Sequence, residues 1–181
     1  MNKYAKALIA GAMALALAAC ASQGQKSASP IQGVEGKTVY TQRNLWIDRD
    51  EHLATNYAVG RRLPVNSAVE IVDTSAREMI VRVADSGREF TLANIPKYTK
   101  KDIRAIYERY FGPSRVDLGR FSAAERRAID NGDIVEGMSK EAVLVARGYP
   151  PAHETPTLEL DAWKYWRRRY DTILVRFDDN D

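Results

Sequence analysis

The chain has 181 residues, 27 basic and 24 acidic side chains, a formal net charge of +3 and a hydrophobic fraction of 45%. Allowing for leader and linker segments, that length suits one ordinary domain or two small ones. A single cysteine, Cys20, excludes an internal disulfide framework and a cysteine-rich zinc site.

Lys3 and Lys6 are the only charges among the first nineteen residues, and Ala7 to Ala19 is an unbroken run of Ala, Leu, Ile, Met and Gly. A positive start followed by a short apolar stretch is the pattern of a signal peptide. The run is about 13 residues, short of the ~20 needed to span a bilayer. Leu17-Ala18-Ala19-Cys20 resembles the bacterial lipobox. The resemblance implies cleavage between Ala19 and Cys20, diacylglycerol on the Cys20 thiol and acylation of the new amino group. Several acyl chains make sense physically, because one myristoyl-sized chain anchors only marginally. Ala21, not Asp, follows the cysteine, which in enteric-type sorting implies release to the outer membrane. Residues 1–19 are thus read as a lipoprotein signal peptide. Its removal takes away two lysines and no acid, leaving +1. A nearly neutral mature chain excludes charge-driven nucleic-acid binding.

Residues 20–36 are rich in Ser, Ala, Gly and Gln and lack apolar periodicity, the composition of a flexible tether. Residues 37–96 read as strands. Val69 and Ile71 alternate with Ala68, Glu70 and Val72. Met79, Val81 and Val83 alternate with Ile80 and Arg82, and Phe90 and Leu92 continue beyond a turn at Asp85-Ser86-Gly87. The stretch NYAVGRRLPVNSAVEIV, with GREFTL downstream, resembles bacterial SH3-like domains, although Pro64-Val65-Asn66-Ser67 stands where those often show Pro-x-Gly-Thr. The resemblance implies a small β-barrel.

Residues 97–132 turn helical and read as a connector. Thr99 to Asp102 has the shape of a capping box with Asp for Glu. Ile103, Ile106, Tyr107, Tyr110 and Phe111 form one stripe that Gly112-Pro113 ends. Ser122-Ala123-Ala124-Glu125 is a capping box proper, and Asn131-Gly132 ends the second helix.

Residues 133–181 give helix, strand, strand. Ser139 caps a helix over Lys140–Arg147 that stops at Gly148, and strands follow at 161–168 and 171–177. Gly137-Met138-Ser139-Lys140, Val143, Gly148-Tyr149-Pro150, Trp163 with Tyr165, and Val175-Arg176-Phe177-Asp178 resemble the C-terminal unit of the SmpA/OmlA (BamE-like) outer-membrane lipoproteins. The hairpin loop is shorter than is usual there. The fold class expected is therefore α+β: a small SH3-like β-barrel, a helical connector and a BamE-like αββ unit.

Alternation puts Trp163, Tyr165, Ile173, Val175 and Phe177 on a core face over Val143 and Ala146. It leaves Lys164, Trp166, Arg168, Leu174 and Arg176 on the other, with Arg167 and Arg169 at the turn. Trp166, Arg167, Arg168, Arg169 and Arg176 are the expected partner-binding residues, since Trp and Arg dominate interface hot spots. Packing against the SH3-like half and contact with anionic lipid headgroups are the other readings of this face.

No catalytic arrangement is legible. Asp48 to His52 reads as a polar loop between candidate strands, and His153 lies in a Pro-rich loop, neither histidine at ligand spacing. No Gly-x-Ser-x-Gly or glycine-rich phosphate loop is present. Asp178-Asp179-Asn180-Asp181 lacks the glycine and distant Glu of a calcium loop. The expectation is an outer-membrane lipoprotein facing the periplasm, without enzyme activity, metal or cofactor. Its role would be binding or scaffolding in envelope assembly or maintenance, with an outer-membrane assembly protein as partner. Because envelope SH3-like domains often bind peptidoglycan, a wall-binding tether is the alternative, with Tyr40, Trp46 and Tyr57 as stacking candidates if they are not core.

Overall fold

The computed structural model describes residues 31–55, 57–168 and 170–178. The expected signal peptide, Ala19, Cys20, the first part of the tether and Arg169 lie outside the described residues. The fold is mixed α+β, with a curled β-sheet half-barrel and four helices.

The strands of the first half are β1 (Thr38–Thr41), β2 (Leu45–Ile47), β3 (Glu51–Leu53), β4 (Arg61–Leu63), β5 (Ala68–Thr74), β6 (Glu78–Val83) and β7 (Glu89–Ala93). Then come α1 (Pro96–Thr99), α2 (Ile103–Tyr110), β8 (Phe111–Gly112), a 3-10 turn (Leu118–Arg120) and α3 (Ala123–Asn131). The chain ends with α4 (Lys140–Arg147), β9 (Ala162–Arg168) and β10 (Asp171–Arg176).

The main sheet runs β3-β7-β6-β5-β1-β8, with β3 parallel to β7 and the other neighbours antiparallel. The alternation read from sequence is its pleat. Ile71 faces Val81 and Met79 faces Leu92, and all four are fully buried. Gly87, at φ +67°, takes the left-handed position of the β6–β7 turn. Ile103, Ile106 and Tyr110 of α2 close the core against these strands. Strands β2 and β4 form a separate ribbon, with Leu45 opposite Leu63.

A second core lies under the C-terminal hairpin. Ala142, Val143 and Ala146 of α4, Ile129 of α3, and Trp163 and Tyr165 of β9 are buried together. The Ser122–Glu125 capping box, the Ser139 cap and the αββ order are as read from sequence.

Several expectations need correction. Ile31 and Val34 are buried in the first core, so the folded part reaches back into the segment read as tether. A few apolar residues in a Ser- and Gly-rich stretch show no period, which is why they were legible only as linker. The cap of α2 is Asp102 itself, accepting from Ala105 N–H at 2.8 Å, not Thr99. Thr99 ends α1 and donates its hydroxyl to Asn94 Oδ1 at 2.7 Å. The segment 97–132 is more than a connector: β8 pairs with β1, and α3 supplies Ala128 and Ile129 to the second core. His52 is not in a polar loop but on β3 and 1% exposed, with Nδ1 donating to the Trp46 carbonyl at 2.9 Å.

The two cores are joined by polar side chains. Asn44, 1% exposed, donates from Nδ2 to the carbonyls of Ile129 (2.7 Å) and Ala146 (3.1 Å), and its Oδ1 accepts from Val65 N–H (2.9 Å). Asn66 makes a two-way bond with Val116, at 3.0 and 2.7 Å. Trp46 packs against Gly132, where a Cβ would come within 2.8 Å of the indole and φ is +74°. Gly132 therefore serves both as left-handed helix stop and as a close approach.

Candidate functional site

Strands β9 and β10 form a two-stranded antiparallel sheet, Val175 opposite Trp163 and Ile173 opposite Tyr165. Its inner face is fixed by packing. Trp163 and Tyr165 are fully buried, Trp163 meets Phe177 edge to face at 4.6 Å, and Tyr165 donates its hydroxyl to the Gly148 carbonyl at 2.9 Å. Burial pushes the Tyr165 phenol well above its ordinary range, so it stays a neutral donor.

The structure divides the residues expected to bind a partner. Trp166 is half-buried and turns toward the first half of the molecule, meeting Tyr57 edge to face at 6.4 Å. Lys164 Nζ lies 5.4 Å from the Trp166 ring centre and pairs with Glu154 at 3.0 Å. This contact favours the packing reading for Trp166. Arg167 and Arg168 stand near the bulge where β10 begins, 4.0 and 3.7 Å from Asp171 Oδ2. Arg176 points to solvent beside Leu174, which is 55% exposed.

Among the described residues the large exposed apolar side chains are Val59, Val135, Leu160, Tyr170 and Leu174, and two of them, Leu174 on β10 and Val135 on the segment facing it, border one groove. Val135 is 44% exposed, and a groove of about 520 Å³ runs between residues 134–138 and the outer side of β10. Its lining includes Ile134, Met138, Val143, Arg167, Arg176 and Phe177. The turn at 134–138 is held by α3 and α4. Glu125 accepts from Ser122 N–H at 2.8 Å and from Ser139 at both Oγ (2.7 Å) and N–H (3.0 Å). These bonds, the Ser139 hydroxyl first, pull the Glu125 carboxyl down to about 2. The capping box was legible in the sequence; its link to Ser139, fourteen residues on, was not.

The aromatic residues considered for sugar stacking are also placed. Trp46 is 8% exposed, with the Arg147 guanidinium 4.9 Å from its ring. Tyr40 is half-buried beneath Arg115, at 5.3 Å. Tyr57 borders a cleft of about 290 Å³ with Tyr98, His153 and Trp166. Trp46 and Tyr57 also line a common cavity of about 620 Å³ with Arg168, and Tyr40 lies outside it.

Arg43 was missed from sequence. It is 8% exposed, its guanidinium lies 4.4 Å from the Tyr149 ring and 5.8 Å from the Tyr110 ring, and burial lowers its pKa. With Arg109 also 4.1 Å from Tyr149, it forms a cation–π stack beside Tyr110 of the first core. Among the described residues no cluster of three or more His, Cys, Asp or Glu is placed to hold a metal ion. No described helix is long and apolar enough to cross a membrane.

Comparison with protein-family models, with curated proteins and with solved structures finds no match to this chain.

Proposed function

We propose that this protein is a lipoprotein held by Cys20 at the periplasmic face of the outer membrane. In this reading it binds another envelope protein without catalysis, in assembly or maintenance. The half-barrel corresponds to the SH3-like unit and the α4–β9–β10 block to the BamE-like unit. The contact surface is the outward side of the hairpin, centred on Leu174 and Arg176 and continued by Arg167.

The observation that carries this reading is Leu174. A strand whose inner residues seal a core bears, one position away, a leucine 55% exposed next to a solvent-facing arginine. Arginine is enriched at interfaces, and the exposed leucine beside it adds apolar area that a partner could cover. The sequence features around Cys20 support the address.

Two measurements test it. Fractionation of cells should find the protein with outer membranes and Cys20→Ser free in the periplasm. A photoreactive residue at Leu174, irradiated in living cells, should capture one discrete envelope protein. An unattached wild-type protein would refute the anchor, and absence of any adduct at Leu174 would refute the contact surface.

A further inference from the structure

The outer edge of β10 names the form of the partner, an inference that rests on the contact surface just proposed. Phe177 donates its N–H to the Asp161 carbonyl at 2.8 Å, one step beyond the Arg176–Ala162 register pair. Hydrogen-bonded and non-hydrogen-bonded pairs alternate along an antiparallel ladder. Val175 and Ile173 therefore bond inward to Trp163 and Tyr165. Thr172, Leu174 and Arg176 turn their N–H and C=O groups away from β9. The same parity is visible on β9, where Lys164, opposite Leu174, sends its N–H outward to Thr155 Oγ1 at 3.0 Å. For the outward groups of β10 no partner is present among the described residues.

These groups recur every second residue, a spacing of about 7 Å that another extended main chain matches. The groove alongside adds a second requirement. Ile134, Val135, Met138 and Val143 line it, so the occupant needs apolar side chains at alternate positions. Arg176 at the rim adds a third, an acidic side chain in register with it. Residues 21–30 of this chain are Ala, Ser, Gln, Gly, Lys and Pro, and supply neither the large apolar residues nor the acid.

We propose that β10 takes up an extended segment of a partner protein by strand addition, the segment lying in the groove as a third strand of the hairpin sheet. Main-chain bonds to Thr172, Leu174 and Arg176 would give affinity, and the apolar lining would give selectivity.

The test uses parity, in the full-length protein in cells. A photoreactive residue at Val135, across the groove, reports occupancy. Leu174→Pro removes an outward N–H that has no partner in the fold, and proline is tolerated at such edge positions. The adduct should be at least tenfold weaker in Leu174→Pro than in Leu174→Ala, since both lose the leucine side chain and only the proline variant loses the outward N–H. Arg176→Pro removes the next outward N–H and should act in the same way, guarding against local misfolding of the first variant. Thermal melts of purified protein should show both proline variants folded, and Val175→Pro, which removes an inward bond, strongly destabilised. A Val135 adduct unchanged in both folded proline variants would overturn strand addition while leaving the contact surface intact. Loss of all adducts in the wild type, at Val135 and Leu174 alike, would remove the surface itself. An adduct to a second copy of this chain, with a dimer in sedimentation, would overturn the partner in favour of self-pairing.

Discussion

The two sheets treat their edges differently. The six-stranded half-barrel ends in β3, three residues long, and β8, two residues long. Such short edges offer little to an incoming strand. The hairpin sheet ends in β10, six residues long, with an exposed leucine in its middle. An open edge of that length is a liability unless something covers it. The contrast teaches that burial alone does not identify the working surface. Both halves bury a core of apolar side chains, and of these two sheets the hairpin presents the long unpaired edge.

The comparison can be broken by removing what each half depends on. The largest effect is expected for Trp163→Ala, which empties the centre of the second core; chemical denaturation should show a loss of about 3–5 kcal/mol. Asn44→Ala attacks the seam. It strips the side-chain partner from the Ala146 carbonyl and from the Val65 N–H, while the Ile129 carbonyl keeps the Gly132 N–H at 3.1 Å. Each buried group left unmade costs about 1–3 kcal/mol, partly relieved by water, so a loss of about 3 kcal/mol is expected in the same assay.

The half-barrel has its own signature in pH. His52 is fully enclosed, and burial, only partly offset by its bond to Trp46, lowers its pKa to about 4. Between about 6.5 and 4 the unfolded chain binds a proton that the native protein refuses. Stability must then fall as pH falls through that window, by about 3 kcal/mol once pH is below both values. Denaturation curves of wild type and His52→Gln should converge in pH dependence over that range if other groups carry it, and diverge if His52 does.

Smaller effects sharpen the picture of the groove. Glu125→Gln weakens the clamp between the N-termini of α3 and α4 and should cost about 1–2 kcal/mol at neutral pH, a figure reduced by its contact with solvent. Because the folded Glu125 carboxyl titrates near 2 against 4.5 when free, its contribution is present above 4.5 and lost as pH falls toward 2. Melts of wild type and Glu125→Gln should therefore approach one another at low pH. The smallest effect is expected at Leu174. Leu174→Ala should change stability by less than about 0.5 kcal/mol, because the side chain is already in water.

Legibility followed the range of the interactions. Ser122 with Glu125, the Ser139 cap and the Trp163/Tyr165 alternation depend on neighbours within a few residues, and all were readable. Asn44 was not, because its partners lie 21, 85 and 102 residues away and a lone Asn carries no period. His52 looked polar because its neighbours Asp48 to Glu51 are; only the sheet puts it against Tyr110, 5.2 Å ring to ring. Ile31 and Val34 hid in linker-like composition. At the candidate site the outward face with Leu174 and Arg176 could be read from alternation. That Trp166 would turn to Tyr57, and that the far side of β10 would stay unpaired, depend on tertiary arrangement.

Amide hydrogen exchange on β10 of the mature protein tests the open edge most directly. The account predicts alternation: Ile173, Val175 and Phe177 protected, with Thr172, Leu174 and Arg176 exchanging close to the unprotected rate. Uniform protection of all six would mean that the edge is already covered within the protein, contradicting the open-strand account.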